Sequence, residues 1–316
     1  EQIKAAVSLR SDYIQSESTT AFRLINSEAD GLSGLTVDRY GDWLLVQLTS
    51  LALAERKEIL FDLLEEHCHP QGIWLRTEKG IRDLEGLSIS DGLVRGEEPP
   101  RPLSIHENGL TFLVDVAEGQ KTGFFLDQRD NRKAVARYTS GHKVLDVFSY
   151  SGGFGITAAV AGNAATVTCV DSSKPAIESS RQNAEANGVS EKVEFFAADA
   201  FKYLEGARDE GAIFDTVVLD PPKMTRTASG AKSALRGYHS LNDLAVSVLR
   251  SGGILVTCCC SGHISRDEFI RMLSGVATGA GRRIQILESR GHAADHPVSP
   301  NCPENAYLKC LICRVV

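Results

Sequence analysis

The chain of 316 residues carries 34 Lys and Arg against 41 Asp and Glu, a formal charge of −7, with 42% hydrophobic and 24% charged residues. Such values are ordinary for a globular protein of about two domains; they argue against nucleic-acid binding over the whole surface and leave room for a local basic groove. No apolar run approaches the roughly 20 residues of a membrane span, no signal peptide is visible, and the eight cysteines lack the spacing of a disulfide framework, so a reducing cytoplasm and no membrane are expected.

Residues 1–98 read as a small α+β domain of strand-strand-helix-strand-strand type. Leu35–Tyr40 and Trp43–Leu48 flank the Gly41–Asp42 turn and predict a hairpin. Leu53–Cys68 repeats its apolar residues at helical spacing (Ile59, Leu60, Leu63, Leu64) and stops at His69–Pro70, after which Gly72–Thr77 can return as a strand. Glu97–Pro102 places three prolines in four residues, which excludes helix and sheet interior and marks a linker. Residues 99–141 then hold a second hairpin, over Leu103–Val116 with Glu107–Asn108–Gly109 at its tip, and a helix running to about Tyr138.

From 142 to 316 strand and helix alternate. The predicted strands are Lys143–Phe148, Thr166–Asp171, Val193–Ala197, Thr216–Asp220, Ile254–Cys260, Arg283–Glu288 and Tyr307–Val315. Ser173 is placed to cap a helix with Pro175 in its first turn and Gly188 at its end, and Ser265 with Glu268 forms a capping box. This alternation implies an α/β fold with a doubly wound, mostly parallel, Rossmann-like sheet, whose ligand sits beyond the carboxyl ends of the strands.

Four such ends carry informative residues. The first strand leads into Asp146, Phe148, Ser149, Tyr150, Ser151 and Gly152, a turn that lets backbone approach a ligand closely. Asp171, with Ser172 beside it, stands where a carboxylate can accept from both ribose hydroxyls, and Asp199 with Ala200 where it can receive an adenine amino group. The turn does not match the dinucleotide pattern G-x-G-x-x-G. Asp220–Pro221–Pro222–Lys223 at the fourth strand has no use in a nicotinamide enzyme, whereas methyltransferases hold the acceptor base there. The expected cofactor is S-adenosylmethionine, in a class I methyltransferase domain.

Cytosine C5 is a poor nucleophile until a thiolate adds to C6. Such chemistry needs a cysteine beside the Asp-Pro-Pro loop, and Cys258–Cys259–Cys260 ends the fifth strand. Cys260, opened by Ser261–Gly262, is the expected nucleophile; Cys258 and Cys259 read as buried small residues. A free thiol titrates at about 8.5 and is activated by nearby positive charge, which Lys223 can supply. Asp220 can accept from the cytosine N4 amino group.

Together these segments resemble the RlmI-type family of large-subunit ribosomal RNA 5-methylcytosine methyltransferases along nearly the whole chain. The resemblance is carried by Glu28–Gly41, by Gly119–Arg132, by Phe148–Phe154, Asp220–Lys223 and Cys260–Gly262, and by Asp295–Val298 with Pro303–Glu304 and Tyr307–Lys309. It implies that Gln128 and Arg132 line the S-adenosylmethionine pocket with Gly152, Asp171, Asp199 and Asp220, that Cys260 is the nucleophile, and that large-subunit ribosomal RNA is the partner. Members of the family begin with a PUA RNA-binding domain, to which nothing in these residues corresponds. Either RNA recognition falls to the first domain and the core, or that part has been removed from the sequence.

Between Pro221 and Ser240 the chain has Lys223, Arg226, Lys232 and Arg236 and no acid, a candidate phosphate-contacting loop. Cys310 and Cys313, with Cys302, do not make a metal site, because the pair lies within one apolar strand and cannot share a face, so no metal is expected. A base N-methyltransferase is the rival function, disfavoured by Lys223 where an aromatic residue would stack on the target. A non-catalytic RNA-binding or assembly protein is the rival of another class. The sequence leaves open whether the protein forms a homodimer.

Overall fold

A computed structural model describes residues 1–14, 17–77, 79–116, 123–225 and 227–316. The chain divides into two compact units, Glu1–Arg129 with Ala293–Asn305 and Asp130–His292 with Ala306–Val316. No described helix is long and apolar enough to cross a membrane.

The first unit contains helices α1 (Gln2–Tyr13), α2 (Leu51–Ala54), α3 (Lys57–Cys68) and α4 (Lys79–Glu85) and strands β1 (Ala21–Asn26), β2 (Leu35–Tyr40), β3 (Trp43–Leu48), β4 (Gly72–Leu75) and β5 (Gly92–Gly96). The five strands form one sheet in chain order, with β3 and β4 parallel and the other pairs antiparallel. The helix expected over Leu53–Cys68 is two pieces, and α3 ends where His69 turns left-handed at φ 46°. Strands β6 (Leu103–Glu107) and β7 (Leu110–Val114) form the second hairpin, with Asn108 (φ 51°) and Gly109 (φ 84°) both left-handed, as a two-residue tip requires.

The sequence reading closes the first domain at residue 98, whereas the β6–β7 hairpin clusters with the first unit. Thr20 N donates to His106 O (2.9 Å) and Gly109 N to Ser18 O (2.8 Å). Ala293–Asn305 joins the same unit around Asp295, whose carboxylate accepts from Arg23 N (2.7 Å) and Arg129 Nη2 (2.9 Å) while its carbonyl accepts from Arg10 (2.9 Å). Burial alone would raise the Asp295 carboxyl; the bond and charge of His296, the Arg129 charge and the Arg23 N–H outweigh it and hold the group well below the usual range.

The second unit begins in α5 (Arg129–Ala136) and continues through β8 (Lys143–Val147), α6 (Gly153–Val160), β9 (Thr166–Asp171), α7 (Lys174–Ala186), β10 (Val193–Ala197), α8 (Ala200–Asp209), β11 (Phe214–Leu219), α9 (Ala231–Ser247), β12 (Leu249–Cys259), α10 (Arg266–Gly279), β13 (Ile284–Arg290) and β14 (Lys309–Val315). Its sheet has the order β10-β9-β8-β11-β12-β14-β13, parallel from β10 to β12, with β14 and then β13 antiparallel. The caps read from the sequence are present: Ser173 accepts from Ala176 N at the start of α7, and Ser265 and Glu268 complete a capping box on α10. The strand order reverses at β8, with β9 on one side and β11 on the other, so the crevice of a doubly wound sheet falls at its carboxyl end.

Candidate active site

The turn after β8 is held by backbone strain and by its neighbours. Phe148 (φ 62°), Tyr150 (φ 48°) and Gly152 (φ 80°) are all left-handed. For two aromatic residues this costs on the order of 1–2 kcal/mol each, and such strain collects at ligand clamps. Ser149 N donates to Val170 O (3.0 Å), Tyr150 N to Asp171 Oδ2 (3.0 Å), and Asn183 Nδ2 to Ser151 O (3.0 Å). A Cβ on Gly152 would stand 2.3 Å from Ser180 Oγ, so only glycine lets the chain pass. Sequence reasoning named Phe148 and Tyr150 in this turn but missed their left-handed backbone, of which the alternation of the segment gives no hint.

Asp171 gives one carboxylate oxygen to Tyr150 N and the other to Ser173 N (2.8 Å), so it fastens the turn as well as ending β9. Asp199 caps α8 by accepting from Lys202 N (3.0 Å) through one oxygen. Ser172 is exposed and Ala200 buried. Asp146 is buried beneath the turn; Oδ2 accepts from Gly155 N (2.8 Å) and Oδ1 has no hydrogen-bond partner among the described residues. Burial pushes its carboxyl up to about 7; the Gly155 N–H and the Arg132 charge work against this, and the charges of Asp220 and Asp171 add to it. Three carboxylates from β8, β9 and the end of β11 thus converge beside one guanidinium. Arg132 itself is buried and lies along the first residue of α6, where a Cβ on Gly153 would stand 3.1 Å from its Cδ. Gln128 is a buried residue of the first unit.

Adjacent residues of β12 enter opposite cores. Ile254, Val256 and Cys258 pack with Cys310 and Ile312 on one face; Leu255 and Cys259 pack with Leu311 and Cys313 on the other. Cys258 and Cys259 are fully buried, and Cys310 and Cys313 fall on opposite faces of β14. Cys260 lies one residue beyond the strand, is partly exposed, and its Sγ stands 4.0 Å from the carbonyl oxygen of Pro221. Asp220, partly exposed, leads into the same loop from β11, its N–H reaching Val147 O at 3.4 Å. Lys223, two residues past Pro221, is exposed. All eight cysteines are free.

The segment expected as a basic loop up to Ser240 is helical from Ala231, because Ala234, Tyr238 and Leu241 recur at helical spacing and bury one face of α9. Lys232 and Arg236 therefore sit one turn apart on a helix and are exposed. Arg226 lies outside the described residues, as do Gly119–Thr122 of the expected Gly119–Arg132 segment. Arg236 also lines a cavity of about 620 Å³ between α9 and α10, with His239 and Arg271 as further basic groups and Leu235 and Met272 as apolar walls. Sequence reasoning missed His239, one turn beyond Arg236 on α9, and Arg271, which only the packing of α10 against α9 brings beside them.

Comparison with known proteins decides the family. A profile described as S-adenosylmethionine-dependent methyltransferase matches residues 88–314. The chain belongs to the S-adenosylmethionine-dependent methyltransferase family. It is 43% identical over 316 residues to the ribosomal RNA large subunit methyltransferase I of Photobacterium profundum, covering 99% of this chain and 79% of that one. It is 41% identical to the enzyme of the same name from Erwinia tasmaniensis, covering 100% of this chain and 80% of that one. The crystal structure of a candidate methyltransferase complexed with SAH superposes with a TM-score of 0.87 at 25% identity, covering 99% of this chain and 80% of that one.

The site fits the cofactor of this methyltransferase family on its own chemistry. S-adenosylmethionine carries a positive sulfonium and a positive ammonium against one carboxylate, and so is a net cation. The carboxylates of Asp171 and Asp220, whose charges both reach Asp146 beneath the turn, suit such a ligand, whereas the pyrophosphate of a dinucleotide would meet repulsion there. Arg132 supplies an adjacent cation for a carboxylate end. The bare oxygen of Asp146 and the Ser149 hydroxyl, also without a partner among the described residues, leave polar capacity under the turn.

Proposed function

We propose that this chain methylates carbon 5 of a cytosine in large-subunit ribosomal RNA through a transient bond between Cys260 Sγ and carbon 6 of the base. The observation that carries the reading is the position of Cys260. It alone of three consecutive cysteines is open, and it borders the Asp-Pro-Pro loop. The names of the two ribosomal RNA methyltransferases support the substrate class. Eight free thiols suit a reducing cytoplasm.

S-adenosylmethionine supplies an electrophilic methyl group. Asp171 holds its ribose, Asp199 receives the adenine amino group through the oxygen not spent on Lys202, and Arg132 completes the pocket within the second unit. The Phe148–Gly152 turn and the flanking Ser172 and Ala200 shape its walls. Asp220 accepts from the cytosine N4 amino group and fixes the ring edge. The Cys260 thiolate forms the S–C6 bond, and the electron pair displaced from the C5=C6 bond makes C5 the nucleophilic carbon. After methylation C5 loses its proton, the S–C6 bond breaks, and the thiolate leaves with the ring restored.

RNA carrying tritium at C5 of cytosine distinguishes this chemistry from N-methylation. The expected result is one tritium released to water per methyl group transferred. Methyl transfer without release would exclude C5 as the acceptor.

Phosphates flanking the target are assigned to Lys223, Lys232 and Arg236, with Arg271 across the α9–α10 groove. Replacing Lys232, Arg236 and Arg271 together by alanine should reduce the slope of log K against log salt for RNA binding by about two, since each single-strand phosphate contact contributes about 0.7. An unchanged slope would remove these residues from the interface.

A further inference from the structure

Lys309 is a buried cation that the proposed reaction has not yet used. It opens β14, opposite Cys259 of β12, and is 3% exposed. Its ammonium donates to Ser261 O at 2.7 Å and to Ile264 O at 2.8 Å. Both acceptors belong to the turn that starts at Cys260, and Ser261 O also accepts from Ile264 N (3.2 Å), so the turn is closed from beneath. Both acceptors are neutral. Among the described residues Lys309 makes no ion pair.

Burying an ammonium without a counter-ion costs several kcal/mol after relaxation, and two carbonyl bonds offset only part of it. A protein that needed only to fasten a turn could use a neutral donor. A charge left uncompensated behind a cysteine suits a site where an anion must exist at the start and the end of each turnover. The geometry points to Lys309 as the positioning residue of Cys260: it fastens the turn that presents the sulfur, and its charge stabilises the thiolate. This rests on the reading of Cys260 as the nucleophile.

The other groups around Lys309 leave it that task. Burial draws its ammonium below the usual lysine range; the buried Cys259, by charge and by a side-chain hydrogen bond, and then Cys260 hold it up, and Arg266 opposes them. Arg266, from the start of α10, gives its guanidinium to Ser289 Oγ and Arg290 O. Glu268 feels the Lys309 charge but spends its carboxylate on Ser265. Tyr238, from α9, stays protonated, pushed up by burial and by Cys259, and reaches Ser261 Oγ at 3.5 Å. Lys223, the cation expected from sequence to do this work, is exposed, where water screens its charge.

The test is the pH profile of iodoacetamide alkylation at Cys260, read by peptide mass spectrometry in native protein, in the urea-unfolded chain, and in Lys309→Gln, Lys309→Met and Lys309→Arg. Native Cys260 should react at lower pH than the same cysteine unfolded. Lys309→Gln, which keeps a donor for the carbonyls but not the charge, should react about ten-fold more slowly at pH 7, the consequence of a shift of about one unit. Lys309→Met should do the same, and Lys309→Arg should stay within about three-fold of wild type. A native profile no lower than the unfolded one would overturn the proposal without any variant having to fold, and a Lys309→Gln profile matching wild type would reduce Lys309 to a structural clamp. Because no RNA is present, failure here leaves the Cys260 nucleophile standing, and loss of that reading would show separately in the RNA assays.

Discussion

Replacing Cys260 with alanine should lower kcat for RNA methylation by at least about 10⁴-fold, since removing a covalent nucleophile from an enzyme site costs up to about 10⁶. Without the thiolate, cytosine C5 has no route to nucleophilic character, so no slower version of the same path remains. KM for RNA should change little, because in the proposed reaction the sulfur acts on the reacting carbon and adds little to ground-state binding. Cys258→Ala is the matched control. Cys258 is fully buried in the same apolar cluster as Val256 and Cys310, and its loss should cost about 1 kcal/mol of stability and leave kcat within about three-fold. Methyl incorporation under single-turnover conditions reads both. Retention of wild-type kcat in Cys260→Ala would move the nucleophile elsewhere.

The second large effect concerns Asp146. Its carboxyl sits at about 7 in the folded chain against an ordinary value of 3.8, because burial penalises the charged form. A folded value above the unfolded one means that the folded state holds the extra proton between them. Its stabilising contribution is therefore complete below about 4 and is lost as pH rises to about 7, at about 1.4 kcal/mol per pH unit and about 4 kcal/mol in all. Asp146→Asn keeps an acceptor for Gly155 N and cannot ionise. Hydrogen exchange of the β8 and β9 amides should show the variant gaining on wild type by about 2–3 kcal/mol between pH 5 and pH 8. Parallel pH profiles would mean that Asp146 ionises in the fold without penalty.

The second unit was readable because its signals are local. Buried strands interrupted by capped helices need only short windows, and Ser173, Ser265 and Glu268 cap as their spacing requires. The ligand end of the sheet followed from the alternation of strand and helix, which puts Asp146, Asp171, Asp220 and Cys260 at or near the carboxyl ends of strands. What stayed hidden depends on contacts distant in sequence. Helix α1 shows no apolar stripe because its buried face includes Arg10, an unpromising core residue until Asp30 is seen pairing with it at 2.7 Å. The joining of Ala293–Asn305 to the first unit hangs on Asp295, whose partners Arg23 and Arg129 lie more than 160 residues away. Lys309 was visible as part of a signature, but its purpose depends on two carbonyls presented by the turn after β12. The helix that carries Lys232 and Arg236 was masked by the basic, acid-free character of its first turns.

The most direct measurement uses large-subunit ribosomal RNA transcribed with 5-fluorocytidine in place of cytidine, incubated with the enzyme and S-adenosylmethionine. Fluorine at carbon 5 cannot leave as a proton does, so the account predicts a protein–RNA adduct that survives denaturation, maps to Cys260 by mass spectrometry, and is absent from Cys260→Ala. Methyl transfer to ordinary RNA with no such adduct, or an adduct on another residue, would contradict it.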